Sequence, residues 1–359
     1  MWVRTGVAVA TAVVVAGLAT ACGSDTAGTP FAKPTSVPAS STPPFDGKTL
    51  QLGEVVQVSS TDGARMQPVT NGTIRSLATI AKITEVGSAD QINDTDQSYR
   101  AAAGGTLLAF TVSVAQDEDA EDVSDKVVAD VNVDGTQRTL PEFFGGDSGG
   151  SDGGTQLHYV VATAQNRRAA DLELKASGLV QSFDLLQARP KGDRPAALYR
   201  SSSGTTIHQE SIAPVSYKVT VHGSAAVHQI TVDKAEFGYF TGKDAAVPSD
   251  PADGWLTLNL TEGSGADTYA LCVTPTSAYT LKDSAGKVYK PSGAASSVPS
   301  QPDMVNDTQT VVAFEVPADF AQGTLTIAPK TVVCEGSTAT FSPEPVHSTA
   351  TMPISMPAN

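Results

Sequence analysis

Two stretches of the chain alternate cleanly between apolar and polar positions. In "GTLLAFTVSV" (residues 105–114), Leu108, Phe110, Val112 and Val114 share one parity, and Ala109, Thr111 and Ser113 the other. In "GWLTLNLTEG" (254–263), Leu256, Leu258 and Leu260 stand opposite Thr257, Asn259 and Thr261. Period-two alternation predicts a strand with one buried face. Each stretch is followed by a segment with the pattern of a hairpin, "VVADVNVDGTQRTL" (127–140) and "AYTLKDSAGKVYKP" (278–291), turning at Gly135 and Gly286. Further on, "LHYVVATAQNRRAADLELKASG" (157–178) and "VVAFEVPADFAQGTLTIAPKTV" (311–332) each read as an apolar strand, a polar interruption and a shorter apolar strand. Upstream, "LATIAKITEV" (77–86) pairs by position with "VHQITVDKAEF" (227–237).

These partners follow one another in the same order at an offset of about 150 residues, the signature of a tandem duplication. Strands of this length between Gly, Pro and Asp turns, without sustained helical periodicity, predict all-β sandwiches. The expected organisation is a leader over 1–21, a tether over 22–49, a first β-sandwich over 50–190, a linker over 191–210 and a second β-sandwich over 211–359. Overlapping the start of the linker, "ARPKGDRPAALYRSSSG" (188–204) reads as a polar hinge.

The leader changes the picture from fold to compartment. "MWVRTGVAVATAVVVAGLATACGSD" sets one cation, Arg4, before an uncharged run from Thr5 to Ala21, the order of a secretory signal and too short for a comfortable membrane span. Its end, Leu18-Ala19-Thr20-Ala21-Cys22, resembles a bacterial lipobox, in which the cysteine is acylated and becomes the first residue. Two or three acyl chains, palmitate among them, anchor a protein stably to the outer face of the membrane. Ordinary cleavage near Ala21 is the alternative. The Pro/Ser/Thr-rich stretch that follows, residues 23–49, lacks the apolar content to fold and reads as an extended tether. Cys272 and Cys334 are the other two cysteines. In an exported chain such a pair points to one disulfide, with two free thiols or a redox site as alternatives that have no C-x-x-C behind them.

The strands at 105–114 and 255–260, the D-G or A-G hairpin after each, and above all "FEVPADFAQGTLTI" (314–327) resemble an immunoglobulin-like sandwich of secreted proteins and lipoproteins of Gram-positive bacteria, especially actinobacteria. A small secreted mycobacterial immunogen is one such relative. The first copy has "VVATAQNRRAADLEL" without the Pro. The resemblance implies a surface or binding role and no enzymatic activity, and fold alone does not fix function.

Charge and candidate chemistry narrow the reading further. With 38 Asp and Glu against 23 Lys and Arg, the formal charge of −15 argues against nucleic acid as a partner. "FFGGDSGGSDGGT" (143–155) spells a protease-like nucleophile at Ser148, but no histidine precedes it, and a glycine run follows where a hydrolase elbow needs a helix. A flexible loop is the expectation, and no catalytic residue is assigned. The acidic run "QDEDAEDVSD" (116–125) offers oxygen ligands for calcium without EF-hand spacing, so a small-ligand or calcium-binding lipoprotein is the alternative function. His222 and His228 lack an evident third ligand, and no metal or cofactor is assigned. Trp255 is expected in the core, and "FGYF" (237–240) as a candidate contact patch or as packing at a sandwich end. The function expected is that of a non-catalytic, lipid-anchored module on the cell surface that binds a protein or cell-envelope partner.

Overall fold

Every alternating segment becomes a strand. The computed structural model describes residues 45–116, 127–144, 155–200, 206–208, 215–221, 224–241, 245–264, 272–297, 308–334, 337–340 and 349–357. The first half holds β1 (Lys48–Leu50), β2 (Val55–Val58), β3 (Arg65–Pro68), β4 (Thr73–Ser76), β5 (Thr79–Ala89), β6 (Gln91–Asn93), β7 (Ser98–Ala101), β8 (Gly105–Gln116), β9 (Val128–Val133), β10 (Thr136–Thr139), β11 (Thr155–Ala164), β12 (Ala170–Ala176), β13 (Leu179–Asp184) and β14 (Arg189–Lys191). The second half holds β15 (Thr206–His208), β16 (Val215–Val221), β17 (Ser224–Gly238), β18 (Asp253–Ser264), β19 (Cys272–Val273), β20 (Tyr279–Asp283), β21 (Val288–Tyr289), β22 (Thr308–Pro317), β23 (Gln322–Ile327), β24 (Thr331–Cys334), β25 (Ser337–Thr340) and β26 (Ala350–Ser355).

The protein is all-β and built from sandwiches. In the first, the sheet β2-β11-β8-β5-β3 faces the sheet β10-β9-β12-β13-β14. Ile83, Phe110, Val112 and Tyr159 from one side meet Val131, Leu172, Leu174 and Phe183 from the other. In the second, β15-β17-β18-β22 faces β21-β20-β23-β26, with Leu256, Leu258, Leu260 and Phe314 against Tyr279, Leu281, Leu325 and Met352. The apolar parity read in 105–114 and 254–263 is the parity that fills these cores.

The other parity of β8 is not left to water. A third sheet, β1-β7-β6, lies on the outer face and buries Leu50 and Ile92 against Leu107, Ala109, Val160 and Ala162. Ala109 and Thr111 are therefore fully buried, and β8 is covered on both faces. Strands of three and four residues made this layer hard to foresee, and β1 joins it parallel to β7.

The duplication extends to irregularities. β3 and β4 both pair with β5, as β15 and β16 both pair with β17. The β5–β8 ladder shifts register between Ile83 and Glu85, and the β17–β18 ladder shifts at the matching place, between Val232 and Lys234. A bulge adds local twist and bend, and it recurs at the matching place in both sandwiches. The D-G hairpin is also present: Asp134 and Gly135 both have positive φ, 49° and 87°, the demand of a type I′ turn, and the Gly135 amide donates to Asn132 Oδ1 at 3.0 Å.

The stretch expected as a polar hinge is built into the structure as far as it is described. After β14, a 3₁₀ turn (Ala196–Tyr199) leads to Arg200, which is 4% exposed. The Tyr199 hydroxyl donates to Gln181 Oε1 at 2.8 Å and accepts the Arg75 amide at 3.2 Å. Arg194 lies 3.8 Å above the Tyr199 ring. Arg200 donates to the carbonyls of Phe320 (2.9 Å) and Pro357 (3.0 Å) over the Phe237 ring. Gly254 permits this approach, since a Cβ there would meet Phe237 Cζ at 2.5 Å and Ala197 Cβ at 2.8 Å. Residues 46–359 thereby form one unit, with the upper end of the first sandwich against the lower end of the second. Arg200→Ala is expected to cost about 3 kcal/mol by orphaning one buried and one part-buried carbonyl. Arg200→Lys recovers part of that, because an ammonium lacks the fork that spans both. Chemical denaturation of the three proteins checks the ordering.

Two buried phenols make the protein sensitive to alkali. Tyr159 stacks on Phe110 at 5.4 Å and donates to the Pro141 carbonyl at 2.9 Å, and burial pushes its pKa well above the ordinary range. Burial, reinforced by its hydrogen bond to Asp283, does the same to Tyr289. Unfolded tyrosine ionises near pH ~10, so between that pH and the folded pKa the unfolded chain is the one that loses protons. Stability is therefore full below about pH 10 and falls as pH rises above it. Thermal melts from neutral to strongly alkaline pH are expected to show that decline, and Tyr159→Phe to soften it.

Candidate functional site

Several expected positions lie outside the described residues: Cys22, the Ser148 loop, the acidic run beyond Gln116, and His222. His228 sits in β17 opposite Tyr217 and Ser264. Trp255 is buried on the outer face of its sheet, apart from the main core, among Ala246, Ala295 and Ala313, and its Nε1 donates to the Ala246 carbonyl at 3.0 Å. The "FGYF" segment is absorbed into packing. Phe237 and Tyr239 belong to the core, and Phe240 packs edge-on against Tyr239 with centroids 5.5 Å apart. It offers no exposed aromatic patch.

At the upper end of the second sandwich the backbone brings the two distant cysteines together. β19 pairs antiparallel with β24, and Cys272 is the direct cross-strand partner of Cys334. Two residues on, the Thr274 amide donates to Glu262 Oε2 at 2.8 Å. Glu262 Oε1 accepts from the Tyr279 hydroxyl at 3.2 Å and the Thr310 hydroxyl at 3.1 Å. Glu262, Thr274, Tyr279 and Thr310 are all buried. The carboxylate stands where the first sandwich has Val114: Val114 is opposite Ala81, and Glu262 opposite Ile230. A signal for it was present, because Glu262 continues the inward parity of Leu256, Leu258 and Leu260.

The lower end of the first sandwich carries a cleft of about 470 Å³ lined by Arg168, Asp184, Gln187, Arg189, Lys191 and Gly192 among others. The β11–β12 loop supplies Arg168. It is fixed by Asp134, whose Oδ1 accepts the amides of Arg168 (2.8 Å) and Ala169 (2.9 Å), and these bonds hold the Asp134 carboxyl below its usual pKa range. Asp184 Oδ1 accepts the amides of Leu186 and Gln187, both at 2.9 Å, and so shapes the turn into β14. Lys191 is engaged by Asp171 Oδ2 at 2.7 Å. On the same sheet, Lys175 bridges Asp130 (2.8 Å) and Glu173 (2.9 Å), and Asn132, Gln137 and Thr139 satisfy the remaining carboxylate oxygens. Each carboxylate of this region thus has an internal donor, although Asp171 Oδ1 is buried without one among the described residues. The guanidinium groups of Arg168 and Arg189 make no hydrogen bond or ion pair among the described residues, and both residues are exposed.

Among the described residues no group of three His, Cys, Asp or Glu side chains is placed to hold a metal ion, and no helix is long and apolar enough to cross a membrane.

No protein-family model matches the chain. No curated protein matches it either. Among solved structures, a conserved domain protein from Bacillus anthracis aligns over 82% of this chain and 92% of its own, at 11% identity and a TM-score of 0.22.

Proposed function

We propose that the protein is a lipid-anchored lipoprotein of the extracytoplasmic face, without catalytic activity, whose immunoglobulin-like sandwiches bind a protein or cell-envelope partner. The observation that carries the reading is the sequence Leu18-Ala19-Thr20-Ala21-Cys22 followed at once by a Pro/Ser/Thr-rich tether. In this reading Cys22 is acylated, residues 1–21 are removed, and residues 22–49 give reach. Two sandwiches joined through Arg200 then present loops and sheet edges as one body, and such surfaces add partner strands or carry specificity. Cys272 and Cys334 form a disulfide in the same reading. Directly opposed residues of an antiparallel pair have Cα atoms ~4.5–5.5 Å apart, inside the range a disulfide spans. The net charge of −15 supports the absence of nucleic acid among the partners.

Two measurements test it. Fatty-acid labelling and mass spectrometry of the membrane fraction are expected to find acyl chains on Cys22, and Cys22→Ala to release the protein into the medium. An unmodified Cys22 overturns the anchor. In-cell crosslinking of the anchored protein, with Cys22→Ala as the mislocalised control, is expected to recover a recurrent partner. None at any crosslinker length overturns the interaction module and moves the search to small ligands, beginning with calcium.

A further inference from the structure

We infer that the cleft at the lower end of the first sandwich is an oxyanion site, which takes a phosphate group between the guanidinium forks of Arg168 and Arg189. The argument starts from what the cleft has left over. Its acids are each engaged through one oxygen: Asp134 and Asp184 accept two backbone amides apiece at Oδ1, and Asp171 binds Lys191 through Oδ2 while its Oδ1 is buried without a partner among the described residues. Its bases are not. Arg168 and Arg189 carry no hydrogen bond or ion pair among the described residues, and the neighbouring Arg167 keeps its Nε buried with no acceptor. The two guanidinium groups that line the cleft are thus donors with no acceptor in hydrogen-bond contact among the described residues. A guanidinium pairs with phosphate through two parallel N–H···O bonds, a geometry that rewards a tetrahedral oxyanion held between two forks.

The backbone that carries the two arginines is also held in place before any ligand arrives. Asp134 pins the loop that carries Arg168. Arg189 lies in β14, opposite Asp184, whose side chain shapes the turn before it. With the backbone already ordered, only the two side chains lose freedom on association, which lowers its cost. The volume, about 470 Å³, exceeds a bare phosphate and suits a phosphoglycerol-sized or sugar-phosphate-sized group.

Position favours an envelope source for that phosphate. The β11–β12 loop adjoins the turn before β8 through the Gln165 amide and the Gly104 carbonyl, and the turn that follows β1 bonds the same end of β11 through the Gly53 amide and the Ala162 carbonyl. The cleft therefore lies at the end of the sandwich that the chain reaches first after the tether, opposite the junction with the second sandwich. A lipid headgroup as the source rests on the anchored placement proposed above. Soluble phosphate esters do not. A chain of net charge −15 has no general attraction for anions, so binding must come from a local site.

The test uses the full secreted chain with Cys22→Ser, so that failure of the lipid anchor leaves this result standing, and the reverse. Glycerol phosphate is titrated at low salt by calorimetry or NMR, and the protein is floated with phosphatidylglycerol or phosphatidylcholine vesicles. Binding to glycerol phosphate, or to phosphatidylglycerol but not phosphatidylcholine vesicles, is expected. Arg168→Gln with Arg189→Gln is expected to weaken it about tenfold or more per guanidinium, with an unchanged melting temperature because both side chains are exposed. The double lysine variant, which keeps charge but loses the fork, is expected to fall between. Binding of vesicles without glycerol phosphate assigns the source to a lipid surface, and binding of glycerol phosphate to the phosphate group itself. No binding to either probe, or binding that the double glutamine variant leaves intact, overturns the site.

Discussion

Replacing Cys334 by alanine is expected to destabilise the protein by about 4 kcal/mol. The magnitude follows from the proposed disulfide. A link between Cys272 and Cys334 closes a loop of about 60 residues, and the chain-entropy model assigns about 4 kcal/mol to a closure of that length. The loop contains β20, β22 and β23, which supply Tyr279, Leu281, Phe314 and Leu325 to the second core, so loosening its ends loosens the sandwich. β19 has only two residues, Cys272 and Val273, and two ladder positions hold a strand weakly without a covalent link. Chemical denaturation checks this with wild type, each single alanine variant and the double variant, with and without reductant. All three variants should match reduced wild type, and reductant should not affect them further. A wild type indifferent to reductant, with two titratable thiols from Cys272 and Cys334, would sink the disulfide.

What the sequence carried and what it did not can be separated by the length scale of the signal. Strands of ten or more residues, such as β5, β8, β11, β17, β18 and β22, announce themselves by parity, and their order twice over announces the duplication. The third sheet over β8 is assembled from β1, β6 and β7, each of three or four residues, too short for alternation to register. The junction was hidden for a different reason. Pro195, Tyr199 and Arg200 look like hinge residues in sequence, and only the approach of Phe320 and Pro357 from the far end of the chain gives Arg200 something to cap. The cleft followed the same rule. "NRR" (166–168) reads as a polar interruption until β14 brings Arg189 beside it. Glu262 was legible, since an acid in the apolar phase of an otherwise regular strand marks either a misread phase or a buried carboxylate, and the partners of Glu262 show the latter.

Glu262→Ala is expected to cost about 3 kcal/mol, since a buried donor that loses its acceptor costs ~1–3 kcal/mol. Truncation takes away the acceptor of the Thr274 amide and of the Tyr279 and Thr310 hydroxyls in a region where each of the four residues is at most 2% exposed. Three variants separate the contributions. Glu262→Gln keeps an acceptor oxygen and is expected to cost the least. Glu262→Val restores the residue type the first sandwich uses at Val114 and refills volume, but removes the acceptor shared by the three donors, so it should fall between glutamine and alanine. The cross-test is with the cysteines. The Thr274 amide is two residues from Cys272, so Glu262 and the proposed disulfide hold the same short segment from two sides. Once either is lost, β19 is freer and the other has less to hold. The cost of Glu262→Ala combined with Cys334→Ala is therefore expected to be smaller than the sum of the two single costs, by more than the ~0.5 kcal/mol within which independent sites add. Strict additivity in a double-mutant cycle would mean that the carboxylate serves the core alone and leaves the cysteine strand to hold its own register.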